Sequence, residues 1–349
     1  MEPGLLHPRT VARLPLNLLA VASGAKSFRH NSVIGSPALN RRGLHVTRVR
    51  WAERLADVRR RRLTHLADPS HREMFDELGY AVVENALPDE VFSLVTEEIE
   101  TTAFPARELK QGNTVTRFIT LSPETLRTVP GLARAVRDRT LQGLMRYAAS
   151  FNADPLITLH TVLTDPGKGR PDPQTNFHSD TFHATSKAWL FLRDVGVEDG
   201  PFSYVPGSHR MTPARLAWER EQSLSARSHK DGHHAGGSFR ASRQDLDAMG
   251  YPDEVAFPVR ANTLIVADTH GFHARQPSLR PSTRIALYAS LRPNPFIPLA
   301  GPDFMDLPGL RGRKAQMLDA ARDIGAKLLN KQTNQPFVGL VRACDPAVR

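Results

Sequence analysis

Apolar residues recur at helical spacing through the first half of the chain and alternate, or run together, through much of the second. Pro88-Asp89-Glu90 opens an apolar-periodic stretch to Thr101. A proline in the first turn and acids at the positive helix end predict a helix there. Ser122-Pro123 starts a short helix, and Leu132, Val136, Leu141, Leu144 and Met145 predict one longer helix over Gly131–Ser150. Further helices are expected over Trp51–Leu66, Ala214–Ser223 and Ala315–Leu329. Strands are expected over Leu156–Thr164, Ser186–Val195, Phe202–Val205, Asn262–Asp268 and Ser282–Leu291, separated by Gly, Pro and Asp turns. Helices first and strands later predict a mainly β fold, a sandwich or jelly roll with flanking helices. The Gly/His/Ser-rich stretch Ser228–Ser238 reads as a flexible surface loop or lid.

At 349 residues, with 40% hydrophobic and 23% charged side chains, the chain has the makeup of an ordinary globular protein with a full core. The net charge of +10 changes the picture only once it is located. Residues 1–70 hold 13 Lys and Arg against 4 Asp and Glu, whereas the remainder holds 33 against 32. The basic character thus belongs to an N-terminal extension. No recognition motif accompanies it, which argues against a nucleic-acid partner. A weak contact of this arm with an acidic surface fits its charge, and Arg59–Arg62 are expected on such a face or in solvent. Leu14–Ala22 is short and interrupted by Pro15 and Asn17, so it is taken as part of an arm that packs Leu and Val on the body. An Arg-rich, acid-poor start is also the composition of an organellar presequence. No apolar run approaches the length of a membrane span. Cys344, the single cysteine, cannot pair within the chain and excludes a cysteine-based zinc site. It fits a reducing compartment, and a cytoplasmic location is expected.

Candidate chemistry concentrates in Asn176-Phe177-His178-Ser179-Asp180-Thr181-Phe182-His183. On an extended strand, His178 and Asp180 point to one face, two thirds of a two-histidine, one-carboxylate facial triad for Fe(II). The same spacing at His229-Lys230-Asp231 lies in the polar loop, and His71-Arg72-Glu73 lies on a helix where residues two apart diverge. The third ligand is expected where the apolar run Asn262–Asp268 ends, at His273 or its rival His270. Arg284 shares the face of Ala286, Tyr288 and Ser290 on the last core strand. An arginine there is costly unless paired. Either a dicarboxylate co-substrate or an internal Asp or Glu would satisfy it.

His178-X-Asp180, then His273 with Arg284 eleven positions on, resembles the phytanoyl-CoA dioxygenase family of Fe(II)/2-oxoglutarate oxygenases. Phe75–Val83, Ala188-Trp189-Leu190-Phe191-Leu192 and Glu198–His209 with its Pro-Gly-Ser-His are similar to further parts of the family pattern, over roughly residues 72–295. The resemblance implies a double-stranded β-helix, cupin-like, over residues 71–300, between the extension of residues 1–70 and a helical C-terminal segment and tail over residues 301–349. It implies His178, Asp180 and His273 as catalytic iron ligands and Arg284 on the distal carboxylate of 2-oxoglutarate. Trp189 lines the co-substrate pocket, with His160 near where the family supplies another pocket residue. The implied reaction consumes O2 and 2-oxoglutarate, releases succinate and CO2, and hydroxylates an unactivated C–H bond of a small organic or lipid-like substrate. Asp180 favours hydroxylation, since related halogenases lack the carboxylate. Arg275 stands where many members have a small hydroxyl residue, and no role is carried to it. His183 is expected outside the metal shell, and His209 in stabilising a turn. A zinc-dependent hydrolase with the same ligands, or a non-catalytic binding protein on the same fold, are the alternatives.

Overall fold

The computed structural model describes residues 14–348; the first residues of the basic extension lie outside them. Eleven strands are described: β1 (Tyr80–Val83), β2 (Phe104–Gln111), β3 (Thr114–Thr120), β4 (Leu156–Thr164), β5 (Ser186–Phe191), β6 (Phe202–Tyr204), β7 (Val255–Phe257), β8 (Thr263–Asp268), β9 (His273–Arg275), β10 (Ser282–Leu291) and β11 (Phe337–Val341). They form an eight-stranded sheet in the order β1-β8-β5-β10-β4-β3-β2-β11 and a three-stranded sheet in the order β7-β6-β9. Every pairing is antiparallel, and strands distant in sequence lie side by side, as in the double-stranded β-helix.

The period-2 alternation of the large sheet decides what each face holds. Ala188, Leu190, Leu264, Val266, Ile285 and Leu287 turn outward into a core with Leu141, Leu144 and Met145. Burying each Leu or Ile contributes about 1.5–3 kcal/mol. Phe191, Ile265, Ala267 and Ala286 turn inward and pack with Phe202, Tyr204 and Phe257 of the small sheet. The site opens from this second face.

Several elements depart from the expected boundaries. Gly131–Ser150 is two helices, Pro130–Ala135 and Arg139–Ala148, with Asp138 capping the second by accepting from the Leu141 amide. A capping aspartate competes with helix continuation, and here it wins. The strand expected over Ser186–Val195 ends at Phe191. Strands β2 and β3 carry no clean apolar alternation because Glu108 and Arg117 occupy positions on the outward face beside Phe104, Ala106 and Ile119, fully buried and 2.7 Å apart. Ser228–Ser238, expected as a flexible lid, is packed instead: Asp231 caps a short helix over Gly232–Ala235, and His234 and Ser238 are buried.

A helix over Leu44–Arg62, α1, carries the basic extension onto the body. Arg48 donates to the carbonyls of Val21, Ser23 and Ala25. Arg59, expected at the surface, is fully buried and donates to the carbonyls of Ser150, Pro295 and Ile297. Arg60 also turns inward, to Asp268 at 3.2 Å. Leu14, Leu16, Leu18 and Leu19 remain exposed, so charged side chains rather than leucines tie this segment down. No helix among the described residues is long and apolar enough to cross a membrane.

Candidate metal and co-substrate site

His178 lies in no regular strand; it makes isolated antiparallel bridges to His273 on one side and Arg240 on the other. The segment is nonetheless extended and held from both edges. His178 and His273 exchange both backbone hydrogen bonds, at 3.0 and 3.1 Å. The Ser179 amide donates to Phe239 O at 3.0 Å and the Asp180 amide to Thr269 O at 2.8 Å. Alternation therefore survives without a strand, and His178 and Asp180 converge.

Among the described residues, His178, Asp180 and His273 form the one group of potential metal-binding side chains in mutual reach, with donor atoms within 4.8 Å of one another. The two Nε2 atoms each stand 3.8 Å from an Asp180 carboxylate oxygen. Both rings are oriented alike: His178 Nδ1 lies 2.8 Å from Asn176 O and His273 Nδ1 3.0 Å from Gly271 O. A carbonyl only accepts, so each Nδ1 carries the proton and each Nε2 offers its lone pair. The buried Nε2 of His178 has no hydrogen-bond partner. Burial lowers the pKa of both rings, His178 well below its ordinary value and His273 to about 4, which keeps them neutral. Three converging donors, two of them neutral imidazole nitrogens, fit a divalent metal that keeps open positions.

Lys187, which sequence reasoning passed over, places its ammonium 2.5 Å from Asp180 Oδ2. Burial would raise the Asp180 carboxyl, but Lys187 and the two imidazoles hold it well below the usual range. A signal existed: Lys187 shares the inward face of β5 with Trp189 and Phe191 by the same alternation.

Arg284 projects from β10 into a cavity of about 120 Å³ that it shares with His178, His273, Trp189, His160 and Lys187. One Nη donates to Gly200 O, while Nε and the other Nη are buried without a partner. No carboxylate pairs with it among the described residues. Burial and the neighbouring Arg275 push its pKa well down, since both disfavour the charged guanidinium. Arg275 itself is neutralised by Asp172 at 2.6 Å, which accounts for a residue left without a role above. Trp189 packs its ring 4.5 Å from Phe202. His160 stacks on Tyr288 at 4.3 Å, hydrogen-bonds Thr158 at 2.9 Å, and is lowered by burial to about 3.

The other histidines fall elsewhere. His183, His209 and His270 border a separate polar cavity of about 390 Å³ with Arg60, Tyr147 and Asp268. His270, the rival third ligand, thus faces away from the triad, and His229 stacks on His234 at 4.0 Å in the packed segment.

The chain is similar to several known proteins. The peroxisomal phytanoyl-CoA dioxygenase of Homo sapiens is 23% identical over 159 residues, 40% of this chain and 46% of that protein. The match therefore spans less than half of the human enzyme. Among solved structures, the non-heme alpha ketoglutarate dependent carbocyclase SnoK from nogalamycin biosynthesis is 23% identical, with a TM-score of 0.41 over 64% of this chain and 83% of that one. The epimerase SnoN, in complex with Fe3+, alpha ketoglutarate and nogalamycin RO, is 19% identical, with a TM-score of 0.42 over 69% and 92%. HygX from Streptomyces hygroscopicus, with nickel and 2-oxoglutarate bound, is 18% identical, with a TM-score of 0.39 over 65% and 87%. The sequence pattern of the family described as phytanoyl-CoA dioxygenase (PhyH) matches residues 75–278, more than half of the chain. The chain belongs to this family of Fe(II)/2-oxoglutarate-dependent oxygenases.

Proposed function

We propose that this chain is a 2-oxoglutarate-dependent hydroxylase of a small organic substrate, with His178, Asp180 and His273 holding Fe(II) and Arg284 gripping the co-substrate. The observation that carries the reading is the pairing of two absences in one cavity: an imidazole nitrogen without a partner and an arginine without a carboxylate. A metal supplies what the first lacks and a dicarboxylate what the second lacks. When bound, Fe(II) with 2-oxoglutarate and O2 supplies the oxidising power, releasing succinate and CO2.

The protein's own residues do the positioning. Asn176 O and Gly271 O fix the imidazole tautomers, and Lys187 restrains Asp180 from one side. The two free nitrogens of Arg284 provide a planar donor pair for a carboxylate. Trp189, Phe202 and Ala286 give that pair apolar walls, which strengthens charge pairing by excluding water.

The test is anaerobic titration of the Fe(II) protein with 2-oxoglutarate, followed visibly for the charge-transfer band of chelated co-substrate, and succinate release once air is admitted. The wild type is expected to show both and His178→Ala neither. A His178→Ala variant with wild-type succinate release would overturn the assignment.

A further inference from the structure

Four cations surround the outer side of the triad, on elements from four parts of the chain. Lys26, from the N-terminal extension, donates to the Asp180 carbonyl at 2.5 Å. Lys187 meets the carboxylate of the same residue. Arg292 follows β10, and its guanidinium donates to Gly24 O at 3.2 Å and to Thr181 Oγ1 at 3.1 Å. Arg240 forms the backbone bridge to His178; its Nε is buried without a hydrogen-bond partner, and Asp231 stands off at 3.7 Å. The carboxylates in contact with these groups are thus Asp180 and Asp231. Asp180 is committed to the metal and to Lys187. Fe(II) and doubly ionised 2-oxoglutarate bring charges that cancel. Binding them leaves Lys26 and Arg292 with carbonyl and hydroxyl partners only.

This arrangement is built, not incidental. Arg48 fixes the backbone before Lys26 through three carbonyls. The Arg29 amide donates to Ala235 O at 3.0 Å, and Phe28 packs 5.3 Å from Phe239. Gly237, at φ +83°, lets the Lys26 carbonyl approach so closely that a Cβ would stand 2.2 Å from it. Holding a lysine here against like charges costs free energy that a loose surface arm would avoid by turning it to solvent. Arg292 is exposed, and Lys26, Lys187 and Arg240 are half-buried, so the cluster is reachable from outside.

Resting on the hydroxylase reading above, we propose that Lys26, Arg240 and Arg292 form an anion subsite beside the triad, and that the substrate carries a carboxylate or phosphate group that docks there. The subsite would orient the carbon to be oxidised by holding the substrate at its charged end. Residues 14–36, which lie outside the matched family region, would then take part in substrate selection.

The experiment measures dissociation constants of octanoate, octyl phosphate and neutral octanamide for the Mn(II)- and 2-oxoglutarate-loaded protein. Octanoate and octyl phosphate separate the two anion sources. At least one anion is expected to bind tenfold or more tightly than octanamide. That preference should collapse in the Lys26→Met/Arg292→Met double variant and persist in Lys26→Arg, with thermal denaturation checking that each variant is folded. Equal affinities, or no binding by any of the three probes, would overturn the subsite, as would a preference that survives in the double variant. Succinate release by the wild type is measured in parallel. Its absence would sink the hydroxylase reading separately, whatever the anion preference.

Discussion

Replacing Arg284 by Met should move two quantities in different directions. In the ligand-free protein the guanidinium has one hydrogen bond, to Gly200 O, and two buried nitrogens with none. Each unsatisfied group costs about 1–3 kcal/mol, and the one bond made returns about the same. Arg275 adds like-charge repulsion. Removing the charge while keeping a side chain of similar length should therefore leave metal-free stability unchanged or raise it by about 1–2 kcal/mol. Co-substrate binding behaves otherwise. Two charge-assisted hydrogen bonds at about 1.5–3 kcal/mol each give about 3–6 kcal/mol. The 2-oxoglutarate dissociation constant should rise roughly 10²- to 10⁴-fold. Arg117 is the control. It is fully buried, but it meets Glu108 at 2.7 Å and donates to carbonyls of residues 342–346. Arg117→Met breaks a satisfied pair and should cost about 3–5 kcal/mol. Thermal denaturation of metal-free protein reads stability, and calorimetric titration of 2-oxoglutarate into Mn(II)-loaded protein reads affinity. If Arg284→Met lowers the melting temperature as Arg117→Met does and leaves affinity intact, Arg284 is structural and the co-substrate argument fails.

Three further outcomes follow from the same geometry. Asp180→Ala removes the carboxylate of the triad; metal analysis after gel filtration should show iron content falling to a small fraction of the wild type, and full retention would exclude Asp180 as a ligand. Lys187→Met leaves Asp180 without its counter-ion in a site about one-fifth exposed, so metal-free stability should drop by about 1–2 kcal/mol after allowance for solvent screening. Added Mn(II) should restore much of that loss by binding the freed carboxylate, and a variant that metal leaves unrescued would count against the pairing. Burial lowers His160, His209 and His270 to about 3, so the unfolded chain binds more protons at these positions below pH 6.5. Stability from these groups is full above that pH and falls as pH decreases, by up to about 1.4 kcal/mol for each at pH 5.5. Denaturant titrations of metal-free protein at pH 7.5 and 5.5 should show the loss; a flat profile would mean that these rings are hydrated.

The chain spells out its site better than its sheet. That His178, Asp180 and His273 converge, with Arg284 in the cavity of the two histidines, is legible because alternation in extended backbone tells which side chains face together. Strands β4, β5, β8 and β10 are legible because their outward faces bury plain apolar residues against helices. Strands β2 and β3 are not, because Glu108 and Arg117 neutralise each other inside the fold and each looks like a surface residue when read alone. The break after Ala135 was written as Asp138, a capping residue inside an apolar period that still suggested one helix. Lys187 was missed for a related reason: alternation alone places it on the inner face, but only the three-dimensional neighbour Asp180 explains why a lysine is tolerated there.

Extended geometry, not strand membership, is what brings His178 and Asp180 to one side. The segment around His178 needs the right dihedral angles and neighbours on both edges, and two other parts of the chain supply those neighbours. Thr269 comes from the turn after β8 and His273 from the start of β9, while Phe239 and Arg240 directly follow Ser228–Ser238, the stretch expected as a flexible lid. That segment is itself braced by the N-terminal extension through Arg29, Phe28 and the close approach at Gly237. The order of support therefore runs from extension to packed segment to triad. A change in residues 24–36 should reach the triad through backbone hydrogen bonds, not through charge alone. Disturbing Gly237 is the direct way to separate the two routes. Gly237→Ala alters no charge, yet its Cβ would collide with the Lys26 carbonyl, and the residue would be strained at its positive φ. If mechanical bracing matters, this variant should weaken metal binding while Lys26→Met, which keeps the backbone contacts, leaves it closer to wild type. Equal metal affinities in wild type and Gly237→Ala would show that the triad is rigid without the extension.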